Sequence, residues 1–228
     1  ITVNFATVGN SQTAGTFNVT ASILNSADVV VETGVASNNF TIVADALDHF
    51  AITATGGGNV PDQTAGSAFN IRLVAQDRFD NTVTSFSGSV TLSDATGTIS
   101  PTTTGSFSSG VLSPQSVTIT KAQADVTISA SGSGVSGVSA EFDVDPGALS
   151  SFSFNTIASP QTAGTAFNIT ITALDANDNV VTSFGSTANL TDATGTISPT
   201  TTSAFTNGVL TNQSVTITQA QSDVTINA

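Results

Sequence analysis

The chain repeats itself, and no single residue constrains its fold as strongly. Residues 63–130 align without a gap onto residues 161–228 at an offset of 98, with 45 of 68 positions identical. The shared blocks include Gln-Thr-Ala-Gly at 63–66 and 161–164, and Asp-Ala-Thr-Gly-Thr-Ile-Ser-Pro at 94–101 and 192–199. Upstream, Ala46, Leu47 and Phe50 match Ala148, Leu149 and Phe152 at an offset of 102. The four-residue difference falls in a Gly-rich loop at 55–59. The reading is one complete unit at 46–147 and a second at 148–228 that stops one strand short. Residues 1–45 are then the tail of a preceding unit, or a shortened unit with its own Gln12-Thr13-Ala14-Gly15.

Within each copy the apolar pattern has period two. Phe69, Ile71, Leu73 and Ala75 alternate with Asn70, Arg72, Val74 and Gln76, and Phe167, Ile169, Ile171 and Ala173 repeat the pattern. Alternation of this kind marks a strand with one face buried. Turn residues separate such segments every eight to twelve positions, and helical periodicity is absent. The expectation is an all-β chain: tandem immunoglobulin-like antiparallel sandwiches of about seven strands each, strung into an extended rod. Phe50, Phe86 and Phe107, with Phe152, Phe184 and Phe205, recur at matching places and are assigned to the cores, because Phe fills an interior without needing a hydrogen-bond partner.

Composition removes most chemistry. The chain has no Cys, Met, Trp or Tyr, one His, and three cations against 16 acids, for a formal charge of −13. Thiol catalysis and disulfides are excluded, and three cations make neither a nucleic-acid footprint nor a polybasic membrane patch. No apolar run is long enough to span a bilayer. A Ser/His/Asp triad has only His49 to use, and the second copy carries Ser151 there. The chain is read as non-enzymatic.

The run Ala65-Gly66-Ser67-Ala68-Phe69-Asn70-Ile71, then Ala75-Gln76-Asp77, then Asp80-Asn81-Thr82-Val83, resembles bacterial immunoglobulin-like repeats. So does its second version, residues 163–169 with Ala173-Leu174-Asp175 and Asp178-Asn179-Val180-Val181. Such repeats stand in tandem in invasin-like adhesins, giant secreted repeat proteins and surface-layer proteins. The resemblance implies an extracellular or cell-surface module that serves as stalk, spacer or lattice element. Two other readings accompany it: an adhesin module that binds glycan or protein, and an accessory region of a large secreted hydrolase. Where the family usually has Gly before Asn, this chain has Asp80 and Asp178.

Candidate sites are few. Asp77, Asp80 and Asn81 with Asp94, and Asp175, Asp178 and Asn179 with Asp192, are candidates for calcium, which takes six to eight oxygens. The competing reading is a hairpin turn whose Asp and Asn cap their own backbone. Glu141, Asp143 and Asp145 are a second candidate cation site at the junction. No cofactor is expected apart from calcium. The expected partners are neighbouring repeats or further copies of the chain, with no nucleic acid and no membrane insertion. A spare strand of the type the last unit lacks is formed by Ser37, Asn38, Asn39, Phe40, Thr41, Ile42, Val43 and Ala44, the candidate strand donor. The residues that follow in a longer chain, or this segment of a neighbouring subunit, would then complete the last unit.

Overall fold

The computed structural model describes residues 15–17, 20–24, 30–36 and 40–228. No helix is present among them, so none is long and apolar enough to cross a membrane. Among the described residues, four strands precede the first copy. β1 (Gly15–Phe17) pairs antiparallel with β4 (Phe40–Ile42), and β2 (Thr20–Leu24) with β3 (Val30–Ala36). Ser37, Asn38 and Asn39 of the candidate donor lie outside the described residues.

The first copy contributes β5 (His49–Ala54), β6 (Gln63–Thr64), β7 (Ala68–Gln76), β8 (Thr91–Asp94), β9 (Val111–Thr118), β10 (Gln123–Val126), β11 (Ile128–Gly132), β12 (Val135–Val138) and β13 (Phe142–Asp145). They form three small sheets, β5-β7-β9, β8-β11-β12 and β10-β13-β6. All pairings are antiparallel except β13 with β6. The second copy contributes β14 (Ser151–Phe154), β15 (Phe167–Leu174), β16 (Thr191–Asp192), β17 (Val209–Val215) and β18 (Ile226–Asn227), in the sheets β14-β15-β17 and β16-β18.

Alternation places the core as the sequence predicts. On β7, Ile71, Leu73 and Ala75 are fully buried, and on β15 Ile169, Ile171 and Ala173 take the same role. Each copy has its own apolar cluster, one running from Phe50 to Val144 and the other from Ile169 to Val215. The phenylalanines form matching triads. Phe86 meets Phe50 at 5.4 Å and Phe107 at 4.9 Å, both edge to face. Phe184 meets Phe152 at 5.5 Å and Phe205 at 5.0 Å in the same way. Edge-on contact suits the ring quadrupole. The sheets close tightly at one point: a Cβ on Gly137 of β12 would collide with the backbone carbonyl of Phe50 on β5, so only glycine fits.

Candidate functional site

Asp77 follows β7 directly and opens the turn that leads to Val83. Its carboxylate is buried, and three residues of the turn and of the preceding linker supply its hydrogen bonds. Oδ1 accepts the N–H groups of Phe79 and Asn81, both at 2.9 Å. Oδ2 accepts the Asn81 amide at 3.0 Å and the backbone N–H of Asp45 at 2.8 Å. The last bond is not local. It ties the linker before the first copy to the turn inside it.

The second copy builds the same device. Asp175 Oδ1 accepts the N–H groups of Asn177 and Asn179 at 2.8 and 2.9 Å. Its Oδ2 accepts the Asn179 amide at 2.9 Å and the N–H of Gly147 at 2.8 Å. Gly147 matches Asp45 at the upstream offset of 102. Asn179 then reaches across to the first copy: its Nδ2 donates to Thr120 O at 2.8 Å, and its Oδ1 accepts the Ala122 N–H at 2.9 Å. One side-chain amide thus occupies a donor and an acceptor on the neighbouring unit's loop. Gly66, with φ +78°, faces Asn177 so closely that a Cβ there would collide with its amide.

These contacts set the acidity of the clamp. Burial pushes the Asp77 carboxyl up, but the Asn81 side-chain bond and the N–H donors of Asp45, Phe79 and Asn81 outweigh it and bring the group to about 2. Asp175 is lowered by the same balance, with burial opposed by Asn179, Gly147 and Asn177. Asp192 is also lowered: burial is outweighed by Thr194 and by the N–H groups of Ile197, Thr194 and Thr196.

Asp94 and Asp192 belong to the other shared loop, which they brace from within. Asp94 Oδ1 accepts Thr98 N–H and Ile99 N–H, both at 2.8 Å, and Oδ2 accepts both the N–H and the hydroxyl of Thr96. Asp192 repeats this with Thr194, Thr196 and Ile197. Asp80 and Asp178 have left-handed backbones, with φ of 64° and 62°, at the position where the resemblance expects Gly. As arranged, the buried carboxylates of Asp77, Asp175 and Asp192 and the half-buried one of Asp94 face N–H donors, a donor set that does not fit a calcium ion at the same oxygens. Among the described residues no group of three or more His, Asp or Glu is gathered as a metal site. Of the junction acids, Asp143 donates its N–H to Asp62 and accepts that of Asp125, and the Asp145 carbonyl accepts Ala65 N–H at 2.8 Å. His49 lies between Asp48 at 3.1 Å and Asp80 at 3.3 Å.

The acidic clusters are visible in the sequence, but the cross-unit grip of Asn179 is not. Its one sequence signal is the recurrence of Asn81 and Asn179 beside the repeated Asp-x-x-Asp.

No family model matches the chain, and no curated protein matches it. Among solved structures, the chain is similar to the Escherichia coli adhesin FdeC, with 21% identity and a TM-score of 0.42 over 93% of this chain and 68% of that one. Domains 4–9 of the surface layer protein SbsC give 16% identity and a TM-score of 0.32, over 94% of this chain and a third (33%) of that one. The D0-D1 domain of intimin gives 14% and 0.30, over 78% of this chain and 87% of that one.

Proposed function

We propose that the chain is a structural, non-catalytic repeat region of an extracellular surface filament, stalk or lattice. The observation that carries this reading is the clamp repeated at two successive junctions, Asp77 on Asp45 and Asp175 on Gly147. A linker bonded to the unit that follows it resists bending, as a spacer requires and as independent binding domains on flexible tethers do not. Pro146 further restricts the connection between β13 and Gly147. The complete unit is 46–147, the next is 148–228, and 1–45 belongs to a shortened or preceding unit. The absence of thiols and the scarcity of cations support the non-catalytic role.

Small-angle scattering of the monomer tests the reading. An extended, semi-rigid rod is expected, and substituting Asp175→Ala should broaden its distance distribution. A compact globule overturns the proposal.

A further inference from the structure

β9 ends at Thr118, which is bonded in both directions to Ser100 at 2.9 and 2.8 Å. Beyond it, in the loop at 119–122, the N–H groups of Thr120 and Lys121 have left the ladder, and one side-chain oxygen receives them both. Thr98 Oγ1 accepts the Thr120 N–H at 3.1 Å and the Lys121 N–H at 3.2 Å. It also lies 2.7 Å from the Thr96 hydroxyl. Two accepted N–H groups occupy both lone pairs of Thr98, so the proton between the two threonines is the one that Thr98 gives. Thr96 gives its own to Asp94 Oδ2, and the Asp94 carboxylate accepts at both oxygens. Asp94 thus sets the direction of the whole row. The loop held in this way is the one that the second copy grips. Asn179 binds Thr120 O and the Ala122 N–H, while Gly66, which faces Asn177, donates its N–H to the Ile119 carbonyl at 2.9 Å.

We infer that Thr98 is the positioning residue of the junction between the two copies, although every hydrogen bond of its side chain stays within the first. The Lys121 N–H and the Thr120 carbonyl belong to one planar peptide group and point to opposite sides of it. Thr98 holds the N–H, so it aims the carbonyl, which is the atom that Asn179 Nδ2 meets at 2.8 Å. The preceding peptide group is set in the same way. Its N–H, on Thr120, lies on Thr98, and its carbonyl, on Ile119, receives Gly66. One oxygen therefore orients both carbonyls on which the contacts with Asn177 and Asn179 depend. A side-chain amide that donates and accepts at once tolerates little misalignment of its two partners. The second copy builds the same row, in which Thr196 Oγ1 accepts the Thr218 and Gln219 N–H groups at 3.1 and 3.2 Å. That loop takes no part in the grip of Asn179, so Thr98 and Thr196 hold their own loops alike and differ at the junction.

The inference deepens the structural reading and rests on it. Asn70→Cys and Asn168→Cys, at exposed and equivalent places on β7 and β15, allow two spin labels in a chain with no other thiol, and the distance distribution between them reads the junction. The parent should give a narrow distribution. Thr98→Val keeps the shape but removes the oxygen, and should raise the undocked share about fivefold, the factor carried by one ordinary hydrogen bond. Thr98→Ser should restore the parent distribution. Thr196→Val should lower the melting temperature of the second copy as much as Thr98→Val lowers that of the first, yet leave the distribution unchanged. With Asn179→Ala already in place, Thr98→Val should widen it no further. Thr96→Val leaves the oxygen but removes what orients it; it should widen the distribution less, and it decides the matter if Thr98→Val does not fold. The inference is overturned by a Thr98→Val distribution as narrow as the parent's, by equal widening from Thr196→Val, or by a widening that persists in full without Asn179. A parent that is broad from the outset overturns the structural reading, and this inference with it.

Discussion

Two stretches that share 45 of 68 residues end in different surroundings. In residues 63–130, Val126 and Ile128 lie in a closed core; in residues 161–228, Val224 and Ile226 line an open groove. The side chains are the same, so their own hydrophobicity does not account for the difference. β13 does, since it lies outside the matched stretch and supplies both the lid and the pairing partner for β10 and β6. Burial here belongs to the unit as a whole. One four-residue strand decides whether several identical residues are core or surface.

The sharpest way to break the comparison is to damage that strand. Phe142→Ala removes the ring that covers the first core and should cost about 3–5 kcal/mol in chemical denaturation. The first copy should then resemble the second, with β10 losing amide protection in hydrogen exchange. A parallel pair sharpens the point: Phe69→Ala should cost more than Phe167→Ala, because only Phe69 has a ring packed edge-on against it from β13. Equal costs would mean that β13 contributes nothing at this position.

The clamps supply the next largest effect. Asp175→Ala leaves the N–H groups of Gly147, Asn177 and Asn179 without their acceptor. The melting temperature of the second copy should fall by about 10 °C. Asn179→Ala removes the reach to Thr120 and Ala122 and should cost about half as much. Calorimetry that resolves the two transitions distinguishes this from a general loss, since the Phe50 core should be spared.

Acid should strike both copies over one window. Asp77, Asp175 and Asp192 are all held below the usual carboxylate value of about 4. A depressed folded value means that the stabilisation is fully present above about pH 4 and is lost as the pH falls toward the folded value, about 2 for Asp77. Circular dichroism during acid titration should show unfolding below pH ~4, and Asp175→Asn should flatten the dependence of the second copy. A stability that rises through that window would falsify this account.

The smallest expected effect is at the turn tips. Asp178 occupies a left-handed conformation at φ 62°. Asp178→Gly should relieve that strain but enlarge the freedom of the unfolded chain, leaving a net change within about 1 kcal/mol. A large loss instead would show that the Asp178 side chain does more than occupy the turn.

The strands and the phenylalanine cores are legible in the sequence because both depend on spacing within one segment. Alternation places Ile71 and Ile171 without any knowledge of their partners. The left-handed turn at Asp80 is legible too, through the Gly that the resembled repeats carry there. The clamp is not. Asp77 and Asp175 look alike whether they hold a cation or a row of N–H groups, because what decides is the orientation of backbone donors. One of those donors, on Asp45, lies 32 residues away. The grip of Asn179 on Thr120 and Ala122 spans nearly 60 residues and leaves no local pattern. Oxygen count alone leaves the calcium and turn-capping readings side by side, and hydrogen-bond geometry is the information the sequence lacks.

The recurrence of the Asp clamp has a geometric consequence. If the contacts of Asn179 with Thr120 and Ala122 recur at every junction, each junction applies the same rotation and the same translation from one unit to the next, which is a screw operation. Any number of units joined this way shares one pitch, and a given surface loop returns to a fixed azimuth after a fixed number of steps. Adding or deleting a unit would lengthen the array by a constant increment and shift the phase of everything beyond it, without altering the winding.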